Sequence, residues 1–135
     1  MPGYTGSPLI MLVGNNAGVS ANGLAITAGG STVRGLVINR FGASGISISG
    51  GGGNVIAGNY LGTDAAGATG RGNGFDGVSI SNSANNRIGG TVAADRNVLS
   101  GNNVQGIGIV GAASSGNLVQ GNYIGIDATG GVALG

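Results

Sequence analysis

Nine side chains of this 135-residue chain carry a formal charge: Arg34, Arg40, Arg71, Arg87 and Arg96, and Asp64, Asp76, Asp95 and Asp127. Cys, His, Trp, Lys and Glu are absent, which excludes thiol, imidazole and lysine chemistry together with disulfide and zinc frameworks. A general acid–base pair would have to be Asp with Asp or Asp with Arg. The four Asp are spaced 12, 19 and 32 residues apart and form no cluster in sequence. Two of them match, Asp64 in Gly62-Thr63-Asp64 and Asp127 in Gly125-Ile126-Asp127. Placed at one corner two windings apart, their backbones would be ~10 Å from each other, near the upper end of the carboxyl spacing of inverting glycosidases. Neither has an aromatic or a second acid beside it to raise its pKa. Each is followed by Ala and a Gly-rich bend, the setting of an Asx turn. The Gly50–Gly53 run precedes no helix start and no Lys, so it is not a phosphate loop. The residue types therefore nominate no catalytic, cofactor-binding or metal-ligating position.

Binding chemistry has more candidates. Five Arg could hold an acidic glycan, and Tyr60 and Tyr123, each one residue before an inward aliphatic, should point outward where they could stack on sugar rings. An outward Tyr on a sheet is equally a favourable cross-strand neighbour. Asn is the conspicuous polar residue, with 15 copies. Asn59, Asn97 and Asn122 take equivalent places, and their setting at Gly-flanked strand boundaries predicts a stacked amide ladder rather than a polar track for a sugar or a metal. A net charge of +1 over scattered Arg makes no nucleic-acid footprint. The longest strongly apolar run, Leu9 to Val13, falls far short of the ~20 residues of a membrane helix. Met1-Pro2-Gly3 begins no secretion signal. Thr63, Thr69, Thr91 and Thr129 form no regular row, which argues against ice binding.

The elements that must carry these residues follow from repetition. Gly occurs 33 times, without the every-third-residue spacing of collagen, and Ile, Leu, Val and Phe together number 34, above the level of a disordered chain. Gly53–Gly72 and Gly116–Gly135, 63 residues apart, are identical at 10 of 20 positions. Inside this repeat lies a finer one, Gly-Φ-x-Φ with Φ aliphatic, at Gly23-Leu24-Ala25-Ile26, Gly45-Ile46-Ser47-Ile48, Gly77-Val78-Ser79-Ile80 and Gly106-Ile107-Gly108-Ile109. Two further columns thread between these anchors: Val33, Ile56, Ile88 and Val119, then Ile38, Leu61, Leu99 and Ile124. Extra length falls only at discrete places, as corner loops would. Alternation in period 2 with β-branched inward residues predicts strands. Helices fail because every helical window holds two or more Gly, each costing roughly 1 kcal/mol relative to Ala. Three columns recurring in one order predict parallel stacking: an all-β, single-chain right-handed parallel β-helix of about four to five coils of three short strands, residues 1–135 forming one repeat domain.

The string N-x-Φ-x-G-N-Y-Φ-G-x-D-A, at Asn54–Ala65 and Asn117–Ala128, resembles the Asn/Gly-rich β-helix repeats of large bacterial secreted and surface proteins, grouped with the pectin-lyase-like right-handed β-helices. Asn86–Thr91 and Arg96–Asn102 resemble the other half of the same unit. The resemblance spans roughly residues 20 to 135 and implies a secreted or cell-surface parent protein, of which this chain would be an excised piece. Enzymes of that architecture resemble one another in clustering Asp for Ca²⁺ with Arg or Lys as base, or several Asp with a nearby His. This chain departs from both sets.

Four expectations follow: a non-catalytic structural or adhesive scaffold without cofactor or metal, with a fragment of a polysaccharide lyase or glycoside hydrolase-like protein, or an acidic-glycan binding module, as the rival. The sixteen column residues should form the core. Thr63–Phe75 and Thr91–Arg96 should bulge as loops. The chain should associate into a homo-oligomer through uncapped ends, with a polysaccharide or cell-surface glycan as a second candidate partner and neither nucleic acid nor membrane insertion expected.

Overall fold

A computed structural model describes residues 7, 8 and 10–135; the Met1-Pro2-Gly3 start and Leu9 lie outside the described residues. Thirteen strands occupy the described part: β1 Ile10–Val13, β2 Leu24–Ile26, β3 Thr32–Arg34, β4 Leu36–Asn39, β5 Ile46–Ser49, β6 Val55–Ala57, β7 Tyr60–Leu61, β8 Val78–Ser81, β9 Arg87–Gly89, β10 Val98–Leu99, β11 Ile107–Val110, β12 Leu118–Gln120 and β13 Tyr123–Ile124. They form three sheets, A (β1-β4-β7-β10-β13), B (β2-β5-β8-β11) and C (β3-β6-β9-β12). Every strand pairing is parallel, each strand lying beside the one three elements on. The chain thus visits A, B and C in rotation, circuit after circuit.

The registers join like with like. In sheet B, Leu24, Ile46, Val78 and Ile107 form one rung line and Ile26, Ile48, Ile80 and Ile109 another. Sheet C aligns Val33, Ile56, Ile88 and Val119, and sheet A aligns Leu12, Ile38, Leu61, Leu99 and Ile124. The expected columns therefore stack rung on rung, and β1 adds an unforeseen first rung. Ten residues from all three sheets merge into one buried cluster, with Leu24, Ile26 and Ile107 packed partly buried against it. Burying each such side chain is worth about 1.5–3 kcal/mol. The last circuit departs from the expectation: Ile109, Val119 and Ile124 are 41, 40 and 49% exposed. Each inward side chain is covered by its neighbours along the stack, and those of β11, β12 and β13 have a neighbour on one side only.

Asn ladders tie all three corners. Between sheets C and A, Asn59 donates from its backbone N–H and its Nδ2 to Asn97 Oδ1, and Asn97 does the same to Asn122 Oδ1. Between B and C the rungs are Asn54, Asn86 and Asn117. Between A and B they are Asn73 and Asn102. The amides also bond strand carbonyls, as Asn97 Nδ2 does to Ile56 O at 2.8 Å. A chain that turns this often must satisfy backbone groups lost from the ladders of the sheets, and the stacked amides supply both donor and acceptor. Leaving sheet C, the backbone bends through Gly35, Gly58 and Gly121, all at positive φ, a region open to Gly at little cost. This accounts for the Gly-Asn pair of the repeat string.

Candidate functional site

Tyr60, Tyr123 and Arg96 come together on the outer face of sheet A. Val37, Tyr60, Val98 and Tyr123 form its outward row in consecutive register. Loops wall the row at both ends of the strands. A 3-10 turn, Ala93–Asp95, leads into the strand starts. At the strand exits, residues 63–70 and 126–133 fold back as two matching loops, each closed by an antiparallel bridge, Thr63 to Gly70 and Ile126 to Ala133. Between the walls lies a shallow cavity of about 100 Å³ lined by Tyr60, Ala93, Arg96, Val98 and Ala128.

Asp95 holds the first wall. Its carboxylate pairs with Arg34 of β3 and, at 3.0 Å, with Arg87 of β9, while Arg34 Nη1 donates to Ala94 O at 3.0 Å. The Arg34 guanidinium, seconded by Arg87, lowers the Asp95 pKa from its ordinary value. The Thr91–Arg96 segment leaves the coil between β9 and β10 and is clamped across sheet C. Ala57, an outward-pointing residue of sheet C that aligns with Arg34, is fully buried.

The second wall is built by the matched Asp pair. Asp64 Oδ1 accepts the N–H groups of Ala68 and Thr69; Asp127 Oδ1 accepts the Thr129 hydroxyl and the N–H groups of Gly131 and Val132. Both pKa values are lowered, Asp64 chiefly by the Ala68 N–H and Asp127 chiefly by Thr129. Ionised, turn-forming carboxylates suit the Asx-turn reading and make poor general acids. The two loops touch directly, Ala128 N–H donating to Gly67 O at 2.8 Å. Phe75 lies past the loop proper: Asn73 is already a buried ladder rung, so the insertion ends near residue 72.

Tyr60 and Tyr123 point outward as expected, but each is half-buried and has its own loop against it. A Cβ on Gly67 would meet the Tyr60 ring at 2.9 Å, and one on Gly130 would meet Tyr123 at 2.8 Å. Arg96 covers Tyr123 further, its guanidinium carbon 4.1 Å from the ring centroid. Its Nε donates to Gly121 O at 3.1 Å, and its Nη1 and Nη2 have no acceptor among the described residues. The sequence columns held a signal for this pairing: the register that joins Leu99 to Ile124 sets Arg96 opposite Gly121, two residues from Tyr123. Of the other candidates, Arg40 and Arg71 meet through Arg40 N–H to Arg71 O at the exit from sheet A and are exposed. Asp76 sits apart beside Gly108 and Gln105 on sheet B. Among the described residues no group of three or more acidic side chains converges as a metal cage would, and no helix is long and apolar enough to cross a membrane. Comparison with known protein families, characterised proteins and solved structures finds no match for the chain.

Proposed function

We propose that the chain is a right-handed parallel β-helix segment serving as a non-catalytic scaffold in a bacterial secreted or surface protein, and that it self-associates. The observation that carries this reading is how the polar residues are used. Asn59, Asn97 and Asn122 hold corners, Asp64 and Asp127 hold turns, and Asp95 holds a loop. Polar side chains spent on the backbone suit a support better than a reaction centre. The right hand follows from the strong bias of parallel crossovers that return to the same sheet. The surface assignment rests on the repeat string at Asn54–Ala65 and Asn117–Ala128.

Self-association is argued from β11, β12 and β13, whose Ile109, Val119 and Ile124 stand 41, 40 and 49% exposed. These strands contain no charged residue that would discourage pairing at an edge. The occupant is a second copy of this chain, whose strands repeat the same aliphatic spacing and accept the same register, giving a closed ring or a fibre according to symmetry. Sedimentation velocity at micromolar concentration tests it: species well above 12.7 kDa are expected, and a clean monomer overturns the self-association reading.

A further inference from the structure

We propose that the cavity on the outer face of sheet A binds a carboxylate side chain of an acidic peptide segment, with Arg96 as its anchor. Three features of the site point there. First, Arg96 is a prearranged cation. Its backbone is fixed between the 3-10 turn, through Arg96 N–H to Ala93 O at 3.2 Å, and the buried ladder rung Asn97. Its guanidinium is fixed by Tyr123 and Gly121 O. A guanidinium held in this way loses little freedom on binding, and its planar donors match a carboxylate.

Second, no acid among the described residues answers it. Asp95, its neighbour, is committed to Arg34 and Arg87, and Asp127, the acid of the facing loop, accepts its own loop's donors. The Nη1 and Nη2 donors of Arg96 are left for an external anion. Third, the space selects the ligand. About 100 Å³ bounded by Ala93, Val98 and Ala128 suits a carboxylate with one or two methylenes. A sugar ring needs an open aromatic face, and Gly67 beside Tyr60, with Gly130 and Arg96 beside Tyr123, crowd both rings. Polypeptide is therefore favoured over polysaccharide. One charge-assisted contact is weak alone, so the carrier must also run along the outward row past Tyr60 and Tyr123. The cavity opens on the outer face of sheet A, while self-association is argued from the open edge of β13, whose Tyr123 the site shares; anisotropy tests the first and sedimentation the second, so the two failures are distinguishable.

The test uses the full chain and a fluorescein-labelled hexaglutamate peptide, followed by anisotropy at low salt, with hexaglutamine and polygalacturonate as competitors. Hexaglutamate is expected to bind and hexaglutamine not to displace it. Arg96→Gln should weaken binding at least tenfold with an unchanged melting temperature. Arg40→Gln with Arg71→Gln, which removes two exposed cations elsewhere, should change it less than twofold. Because Arg96→Gln also alters the Tyr123 stack, Ala93→Leu, which fills the cavity and keeps the guanidinium, should weaken binding as well. Equal losses from the Arg96 and the Arg40/Arg71 variants would mean diffuse charge attraction and overturn the site. Displacement by polygalacturonate in preference to hexaglutamate would overturn the ligand class.

Discussion

The middle circuits and the last one carry similar aliphatic and Asn residues in the same register and yet live in different environments. Ile56 and Ile88 are fully buried, while Val119, their partner on the next rung, is 40% exposed. Asn59 and Asn97 are fully buried, whereas Asn122 at the end of their ladder is only half-buried. In a stack of repeats each unit touches only its neighbours, so position along the stack, and not residue type, decides what a side chain contributes.

That contrast is broken most directly in the aliphatic columns. Ile56→Ala should cost about 2–5 kcal/mol, since a residue enclosed on both sides leaves a cavity that cannot collapse freely. Val119→Ala removes fewer atoms from a half-open site and should cost about 1 kcal/mol or less. Urea titrations of the two variants measure the difference, and equal losses would show that another surface covers the last circuit, as self-association requires. Repeating the Val119→Ala titration across a range of protein concentrations separates the isolated chain from the associated one.

The ladders give the next largest effect. Asn97→Ala strips the acceptor from the Asn59 N–H and Nδ2 and the donor from Ile56 O, all of them buried. An unsatisfied buried group costs about 1–3 kcal/mol, so a total loss of roughly 2–4 kcal/mol is expected. Asn122→Ala leaves the same kinds of group orphaned at Asn97 and Ile88, but beside the more open last circuit, where water can replace the lost partner, and should cost about 1 kcal/mol. Amide hydrogen exchange checks the assignment: the Asn59 N–H should lose protection in the first variant and keep it in the second.

The columns were legible because Gly-Φ-x-Φ recurs with inward aliphatics at fixed offsets, and the Asn59–Asn97–Asn122 ladder because its rungs precede the third column. The Asn73–Asn102 ladder was missed, although both lie four residues before the glycine of a Gly-Φ-x-Φ anchor, Gly77 and Gly106. Strand β1 was missed as a rung, although Leu12-Val13-Gly14-Asn15-Asn16 matches Leu99-Ser100-Gly101-Asn102-Asn103 at four of five positions. Val37, Ala57 and Val98 point outward and are nonetheless buried. No local pattern announces that. The Asp95 clamp spans 61 residues to Arg34, a separation at which a single Asp carries no pairing signal. Alternation reads the side of a strand that faces the core; what lies over the other side is set by loop paths that only the folded chain fixes.

The clamp also supplies the smallest and most conditional effect. The pair couples the first sheet C strand, through Arg34, to β9, through Arg87, and among the described residues no ion pair ties down the last circuit. The folded pKa of Asp95 is lowered, with Arg34 as the main cause. Its contribution is therefore present above the ordinary aspartate value of about 3.9 and is lost as the pH falls through the lower folded value. Since both guanidinium groups are about one-third exposed, solvent screening keeps the contribution within ~1 kcal/mol. Asp64 and Asp127 are also lowered, so acid weakens the wild type through all three, and the Asp95 share must be isolated by difference. Asp95→Asn should lower the urea midpoint slightly at pH 6, and the gap between variant and wild type should narrow as the pH falls below the ordinary aspartate value. A gap that stays constant from pH 6 down to pH 2 would mean that the carboxylate's charge is not what holds the Ala93–Asp95 turn against sheet C.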